Sequence, residues 1–205
     1  MKLKKTRGFT LIELLVVMTI IAILASAMVM GYGRMTQTAQ RAKAAEAVSQ
    51  AAQGLSILLS RTGTWPAAII SHHGGDGTGK GMVMEVAKEF ATRSLLGVAK
   101  GVDGNPVGIS RLGVFDPWAE AVLKKKDATI SSRVSTGGTV QDHIIYYAVD
   151  AEGSGITEAT VGGESIKVRA TAITWSAGAD GKLAPYSRRG RSDDVYSWAK
   201  GQVVK

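Results

Sequence analysis

One carboxylate stands where the chain could use it for electrostatic recognition. Glu13 lies at the head of an uncharged run of 20 residues, Leu14 to Gly33. A charge next to hydrocarbon costs about 2.5 to 3.5 kcal/mol on insertion scales, so a carboxylate at this position should have a cationic partner. We therefore interpret the segment as a recognition device as well as an anchor.

The run after Glu13 is long enough to cross a membrane as one helix. At about 1.5 Å per helical residue it spans roughly 30 Å, the thickness of the hydrocarbon core of a bilayer. By the positive-inside rule, the basic residues before it should hold the N-terminus in the cytoplasm: Lys2, Lys4, Lys5 and Arg7. An ordinary secretory signal would be cleaved after the apolar stretch, where Ala25-Ser26-Ala27 only weakly matches the expected site.

The segment Arg7-Gly8-Phe9-Thr10-Leu11-Ile12-Glu13 and the apolar helix after it resemble the N-terminus of type IV pilins and pseudopilins. Prepilins of this family carry a short basic leader, a glycine and then Phe-Thr-Leu-x-Glu. The resemblance covers Lys2 to Ser26. It implies that a prepilin peptidase cleaves between Gly8 and Phe9 and methylates the new amino group.

The resemblance also implies an assembly role for Glu13. In a helical stack of subunits its carboxylate would meet the amino group of Phe9 in a neighbouring copy. Such a pair sets the register, because every misaligned docking leaves a charge without a partner. The alternative is that Glu13 snorkels to the interface in a monomeric anchor.

Net charge does not favour nucleic acid as a partner. The full chain has a formal charge of +8, and cleavage after Gly8 would remove four positive charges and leave +4. The remaining basic cluster is Arg188, Arg189 and Arg191, and the nearby Asp193 and Asp194 offset it. We expect a solvated loop there and no nucleic-acid binding.

A single long helix should position these groups. Beyond Gly33 the apolar residues recur at helical spacing, so the anchor should continue as an amphipathic stalk. The predicted stripe is Val48, Ala52, Leu55 and Leu59. Gly63 and Pro66 supply the stop signal, which predicts one helix from about Thr10 to about Arg61.

The remainder predicts a mixed head. A loop over 71–81 and a second, shorter helix over 82–100 come first, and strands follow. The strand signals are an apolar run at 143–149 and a hairpin in which Gly162-Gly163 joins 157–161 to 164–175. We predict an α+β fold, with the long N-terminal helix packed on a small antiparallel β-sheet head, as in the pilin fold.

The predicted domain organisation follows from these elements. It comprises a leader peptide (1–8), a transmembrane and assembly helix (9–33), the amphipathic half of the long helix (34–66) and a globular periplasmic α+β head (67–205). The chain contains no cysteine, so the head cannot be held together by disulfides.

Three patches in the head resemble the major pseudopilins of type II secretion systems. Asp116-Pro117-Trp118 is similar to the Asp-Pro-Trp that introduces their sheet, 175–182 to their Ser-x-Gly-x-Asp-Gly loop, and 193–198 to their closing Asp-Asp-Ile-x-x-Trp pattern. The resemblance implies a calcium site in which Asp180 and Asp194, with Asp193 as a third candidate, donate carboxylate oxygens. The alternative is a metal-free loop in which its own cations pair with the aspartates: Lys182, Arg188, Arg189 and Arg191.

Other residue types that suggest chemistry have simpler explanations. The segment 74–81 has the spacing of a phosphate-binding loop, but Gly81 stands where a Ser or Thr must hold magnesium. His72 and His73 are adjacent and would point to opposite faces of a strand, which disfavours a shared zinc ion. His143 should be a partly buried side chain. No Gly-x-Ser-x-Gly elbow occurs, so we expect no enzyme. The tryptophans should be core anchors rather than a carbohydrate platform: Trp65, Trp118, Trp175 and Trp198.

Together these features predict a structural subunit of a type II secretion pseudopilus, processed by a prepilin peptidase and polymerised through its N-terminal helix to drive protein secretion. Its expected partners are further copies of itself, minor pseudopilins and an inner-membrane assembly platform. We expect a single-pass protein of the bacterial inner membrane, with the head in the periplasm, that then joins the fibre. The alternatives are a type IV pilin for adhesion, twitching or DNA uptake, and a membrane-tethered binding domain that never polymerises.

Overall fold

The structure, a computed structural model, describes residues 10–74, 81–82, 86, 89, 109–110, 113–119 and 140–204. Residues 27–34, 109–110, 113 and 140–141 are described by their backbone alone. The described residues divide between Ala39 and Gln40 into two compact units. The first unit is the N-terminal part of the long helix, and the second is the rest of that helix together with the head.

Helix α1 runs from Leu11 to Thr62, close to the predicted bounds. It ends at Gly63, whose φ of +70° lies in the left-handed region that favours glycine after a helix. The N–H of Gly63 donates to the carbonyl of Leu59 at 2.8 Å, so it satisfies one of the last helical acceptors. A short helix α2, Ala67–Ser71, follows Pro66. It was not predicted, because five residues carry too little periodicity to be detected.

Eight short strands occur among the described residues. They are β1 Ile109–Ser110, β2 Gly113–Val114, β3 Tyr146–Val149, β4 Thr157–Val161, β5 Glu164–Val168, β6 Ala172–Ser176, β7 Val195–Tyr196 and β8 Val203–Val204. They form three antiparallel sheets, ordered β1-β2, β3-β6-β7 and β4-β5-β8. The predicted α+β class with an antiparallel head is confirmed, and the head divides its strands among several small sheets.

The predicted hairpin is confirmed in position. Strands β4 and β5 pair from Thr157 with Val168 to Val161 with Glu164, and Gly162 and Gly163 form the turn with φ values of +56° and +85°. The run predicted as one strand over 164–175 is two strands, since the chain leaves the sheet of β5 at Val168 and enters the sheet of β6 at Ala172.

Of two further predictions, one differs from the structure in where its strand begins, and the other falls mostly outside the described residues. The strand predicted over 143–149 begins at Tyr146, because a 3₁₀ turn, Val140–His143, occupies its start. The second helix predicted over 82–100 lies outside the described residues, except at residues 82, 86 and 89. Most of the glycine-rich segment 74–81 also lies outside them.

Strands β3 and β6 are buried on both faces, so their sequences do not alternate between apolar and charged residues. On one face, Ile145, Tyr147 and Val149 join the core cluster that contains helix α1. On the other face, Tyr146 and Trp175 join a second cluster with the β4–β5 hairpin. The sheet β3-β6-β7 is therefore the middle layer of the head.

Helix α1 packs on this layer through an apolar stripe that differs from the predicted stripe by one residue at two positions. The buried residues are Ala44, Val48, Ala51, Leu55 and Leu58. Ala52 and Leu59, which were predicted in the stripe, are only half-buried. The hydroxyl of Thr174 donates to the carbonyl of Val48 at 2.6 Å and fixes β6 against the helix.

Most of the tryptophans are core residues, as predicted. Trp118, Trp175 and Trp198 are 2%, 0% and 3% exposed. Trp65 is half-buried, and its indole N–H donates to the carbonyl of Asp150 at 2.7 Å. The prediction for His143 was wrong in degree, because this side chain is completely buried.

Candidate functional site

The N-terminus of α1 is built around Glu13. Thr10 precedes the first helical residue, and both its N–H and its hydroxyl donate to Oε2 of Glu13 at 2.8 Å. In return, the N–H of Glu13 donates to the Thr10 hydroxyl at 3.3 Å. This reciprocal arrangement is a capping box, which satisfies donors that a helix start otherwise leaves unpaired. Among the described residues, both bonds to the carboxylate use the same oxygen, so Glu13 caps its own helix.

Helix α1 exposes its apolar side chains on both sides of Glu13, from Leu11 to Leu24. The exposed fraction ranges from 47% at Val17 to 88% at Leu11. The exposed set is Leu11, Ile12, Leu14, Leu15, Val16, Val17, Met18, Ile20, Ile21, Ile23 and Leu24. A continuous apolar surface of this kind marks a place where lipid or other protein binds.

The membrane anchor stays a prediction. In the part of the chain that the structure describes, no helix has both the length and the apolar character that crossing a membrane requires. The predicted transmembrane segment, 9–33, includes residue 9 and the side chains of residues 27–33, which lie outside that part. The predicted processing junction between Gly8 and Phe9 also lies outside the described residues.

The three head patches that the sequence singled out lie together in the structure. Oδ2 of Asp116 accepts a 2.5 Å bond from the hydroxyl of Ser176, and that hydroxyl accepts the N–H of Gly178 at 3.1 Å. The ring of Trp175 contacts Trp198 edge-on, with centroids 6.0 Å apart. The Asp-Pro-Trp segment, the 175–182 loop and the 193–198 ending therefore form one cluster.

Asp116 is the hub of this cluster and is 3% exposed. Its Oδ1 accepts the N–H groups of Trp118 and Ala119 at 3.0 and 3.3 Å and lies 3.3 Å from Nδ1 of His143. Serine, histidine and aspartate form the catalytic triad of many hydrolases, in which the histidine lies between the other two. Here the aspartate lies in the middle, with the serine at one of its oxygens and the histidine at the other. All three side chains are buried, so the arrangement holds the core together and gives a substrate no access.

Two aspartates close the C-terminal loop by binding backbone N–H groups. Oδ2 of Asp193 accepts from Ala179 at 2.6 Å and from Asp180 at 3.1 Å. Oδ2 of Asp194 accepts from the N–H of Ala184 at 3.2 Å and from the hydroxyl of Tyr196 at 3.1 Å. Bonds from neutral donors to a carboxylate are among the stronger ones in proteins. The two ends of the loop are thereby tied together.

The environment of Asp194 disfavours its charge. Burial raises the pKa of its carboxyl group, and the neighbouring charge of Asp193 raises that pKa further. The hydrogen bonds from Ala184 and Tyr196 act in the opposite direction without reversing the shift. The folded loop therefore favours the protonated form of Asp194 more than the unfolded chain does.

Arg189 is the cation of the loop that packs against aromatic rings. Its guanidinium carbon lies 4.9 Å from the ring centre of Tyr196, 5.5 Å from that of Tyr186 and 5.9 Å from that of Trp198. Nη1 donates to the Tyr186 hydroxyl at 2.7 Å, and Nη2 donates to the Trp198 carbonyl at 2.5 Å. An arginine held among three rings and two acceptors is a structural residue of the loop.

The carboxylates of the loop do not fit a calcium shell as they stand. Calcium takes six to eight oxygen ligands, whereas the described residues contain no group of three or more side chains that could hold a metal ion. Asp193 and Asp194 use oxygens for backbone N–H groups, and Oδ1 of Asp180 accepts the N–H of Lys182 at 2.8 Å. Calcium at this loop stays a prediction that ion titration can test.

The alternative prediction was a loop closed by ion pairs, and the described residues close the loop in a different way. Within the described ranges, the ion pair lies elsewhere, between Lys167 and Glu158, and Nδ1 of His143 contacts Asp116 outside the loop. The loop is instead closed by carboxylate bonds to the backbone and by the packing of Arg189.

Comparison with known proteins concerns the N-terminus. Residues 3–29 match the family model described as the prokaryotic N-terminal methylation motif. This match supports the resemblance to pilin-like prepilins, which are processed by a prepilin peptidase. It does not extend to the head, so it does not distinguish a pseudopilin from a pilin. Comparisons with curated proteins and with solved structures give no match.

Several site residues were missed by reading the sequence. The pattern Thr10-x-x-Glu13 before an apolar run is a recognised capping signal and could have identified the role of Thr10. Asp116 two residues before Trp118 is an equally readable N-cap pattern. Nothing local indicates that His143 and Ser176 meet Asp116, or that Arg189 lies among three rings, because these contacts depend on the folded head.

Proposed function

We propose that this chain is a structural subunit of a type II secretion pseudopilus that assembles through its N-terminal helix. The observation that carries the proposal is the methylation motif at residues 3–29, with Glu13 at the start of a helix whose apolar side chains are exposed. Such a surface needs lipid before assembly and other copies of the helix afterwards. When the helix leaves lipid and packs against other copies, its hydrophobic free energy changes little, so polar groups must select the correct packing.

Glu13 is the group that we assign to that selection. In the chain itself its Oε2 is bonded to Thr10. Cleavage after Gly8 would create a cationic amino group at Phe9, and the carboxylate of one subunit would pair with this group in the next. In an apolar surround, a docking that leaves either charge unpaired is strongly disfavoured. Glu13 would thus cap its own helix and set the register of the fibre.

The pseudopilus is favoured over an adhesive pilus by the head. The order of the three patches resembles the major pseudopilins, and in this head they form a single cluster around Asp116 and Trp198. A subunit of this kind has no catalytic task. Its partners would be the prepilin peptidase, minor pseudopilins and an assembly platform of the inner membrane, with the head in the periplasm.

Two substitutions separate the proposed roles of Glu13. Glu13→Gln keeps an acceptor for the capping box and removes the charge, whereas Thr10→Ala removes the capping hydroxyl and keeps the charge. We expect Glu13→Gln to be processed and inserted but to form no fibres, and Thr10→Ala to form fibres. Electron microscopy of sheared fibres, with cross-linking of the N-terminal region, measures the result. Normal fibre yield from Glu13→Gln would refute the register mechanism.

Processing has its own test. The mass of the purified subunit should correspond to a chain that begins with methylated Phe9, and Gly8→Val should shift it to that of the full chain. A deletion strain should lose secretion of exported proteins into the medium. Loss of surface filaments with intact secretion would identify a pilin instead, and a chain that stays uncleaved and monomeric would overturn both assignments.

A further inference from the structure

An open cavity of about 710 Å³ lies beside the C-terminal loop of the head. One wall is Arg41 of helix α1, and the loop supplies the other charged residues. The charged lining comprises Arg41, Lys182, Arg188, Arg191, Asp180 and Asp193. Four cations and two carboxylates leave the cavity positively charged, and its size is within the usual range for small-ligand sites.

The two carboxylates of the lining offset part of this positive charge, but within the described residues neither of them pairs directly with a cation. Oδ2 of Asp193 is held by the N–H groups of Ala179 and Asp180, and Oδ1 of Asp180 by the N–H of Lys182. Arg41 donates to the carbonyl of Ser192 at 3.2 Å, which positions its guanidinium group without cancelling its charge. For the described residues, no ion pair involves any of the four cations. With four cations against two carboxylates, the cavity therefore presents a net positive charge to an anion from outside.

We propose that this cavity binds the phosphate group of an anionic phospholipid headgroup at the membrane surface, an inference that rests on the anchored subunit proposed above. The guanidinium groups of Arg41, Arg188 and Arg191 present forked donors that suit phosphate oxygens, and Lys182 adds a point charge. A free phosphate ion shares this chemistry, and the experiment below separates the two sources.

The chain itself keeps the cavity within reach of the membrane. Arg41 follows Gly33, the last residue of the predicted transmembrane segment, by eight residues. Eight residues span at most about 29 Å even when fully extended. Basic side chains close to an anionic leaflet are attracted to it, and each contributes a factor of about five to the affinity. The contact would hold the head at the membrane surface until the subunit is extracted into the fibre.

The experiment uses the full chain in neutral detergent micelles. Short-chain phosphatidylglycerol, phosphatidylcholine with the same acyl chains, and inorganic phosphate are titrated separately by calorimetry. We expect phosphatidylglycerol to bind, phosphatidylcholine to give no heat beyond mixing, and inorganic phosphate to bind much more weakly. The double variant Arg188→Gln/Arg191→Gln should bind phosphatidylglycerol about 30-fold more weakly.

A matched control removes the same charge elsewhere. Arg169→Gln/Lys200→Gln changes two exposed cations that do not line the cavity, and it should keep the affinity within about twofold, because neither side chain contacts a ligand bound there. A second pair in the cavity, Arg41→Gln/Lys182→Gln, should repeat the loss. Unfolding curves followed by tryptophan fluorescence verify that each variant is folded.

Three results would overturn the proposal. Equal loss in the cavity pair and the control pair would show unspecific attraction. Inorganic phosphate that binds as tightly as phosphatidylglycerol would identify a site for free anions. A poly-glutamate peptide that binds more tightly than the lipid would identify an acidic protein partner. Any of these with normal cleavage and fibre formation would leave the proposed function intact, whereas a chain that is never cleaved would refute that function whatever the lipid result.

Discussion

Gly178 offers the sharpest test of how the C-terminal loop is closed. Its φ of +70° lies in the left-handed region, and a Cβ added there would be 2.6 Å from the carbonyl oxygen of Asp193 and 2.7 Å from its Cγ. Asp193 is the residue whose carboxylate accepts the N–H groups of Ala179 and Asp180. Gly178→Ala should therefore push away the residue that ties the loop together.

Gly63 provides a matched control, because it has the same φ of +70° and nothing within 4 Å of an added Cβ. A left-handed conformation costs a non-glycine residue about 1 to 2 kcal/mol. The less flexible unfolded chain returns about 0.4 to 1 kcal/mol. Gly63→Ala should thus lose about 1 kcal/mol. Gly178→Ala carries the same cost and also weakens bonds to a charged acceptor, which contribute about 1.5 to 3 kcal/mol each. We expect a total loss of about 3 kcal/mol or more.

Urea and thermal unfolding of the full chain in detergent measure this difference, with the buried Trp175 and Trp198 as fluorescent reporters. In a domain of this size, 1 kcal/mol corresponds to about 2 to 4 °C in Tm. The Tm should fall by about 3 °C in Gly63→Ala and by about 6 to 12 °C in Gly178→Ala. Equal losses in the two variants would refute the reasoning, because backbone conformation alone would then explain both.

Three further outcomes are expected of the same loop. Arg189→Ala should lose about 2 to 4 kcal/mol of unfolding free energy by removing cation–π contacts and two hydrogen bonds, whereas Arg188→Ala should change it by less than about 0.5 kcal/mol in the same urea assay. Because the folded pKa of Asp194 is raised, its contribution should be most favourable at low pH and decline as pH rises above its ordinary value of 3.8. Unfolding curves should therefore show that Asp194→Asn gains stability relative to the unsubstituted chain as the pH rises from 3 to 7. A difference in stability that stays constant over this range would contradict the raised pKa. Calcium should leave Tm unchanged, because the described residues contain no group of three or more side chains that could hold a metal ion, and a rise that a chelator reverses would establish the predicted ion site.

The elements with strong local signals could be predicted from the sequence. The long helix is set by apolar spacing and by the stop at Gly63, and the β4–β5 hairpin is set by the Gly162-Gly163 turn. The helix stripe was displaced at Ala51 and Leu58, since spacing alone does not fix which side of a helix meets a sheet. Strand β6 was merged with β5 because no glycine or proline lies in the short connection between them, and only the change of sheet separates the two strands.

The candidate site could be predicted as three patches but not as one cluster. The bond from Ser176 to Asp116 joins residues 60 positions apart, and the bond from Ala179 to Asp193 depends on the turn at Gly178. Contacts of this kind arise from the packing of the sheet, and no periodic pattern in the sequence predicts them. Arg41 shows the same limit, because its place beside the loop follows from the way α1 packs in the head.

A calcium ion that bound through Oδ2 of Asp193 and Asp194 would compete with the N–H groups that these oxygens now accept, and each bond to a charged group contributes about 1.5 to 3 kcal/mol. The positive lining of the adjacent cavity adds repulsion to that loss. Removing the cations should therefore raise calcium affinity while it lowers affinity for phosphate, so the two ligands respond to Arg188 and Arg191 with opposite signs. That opposition follows from charge alone, and it makes a single pair of variants informative about both sites.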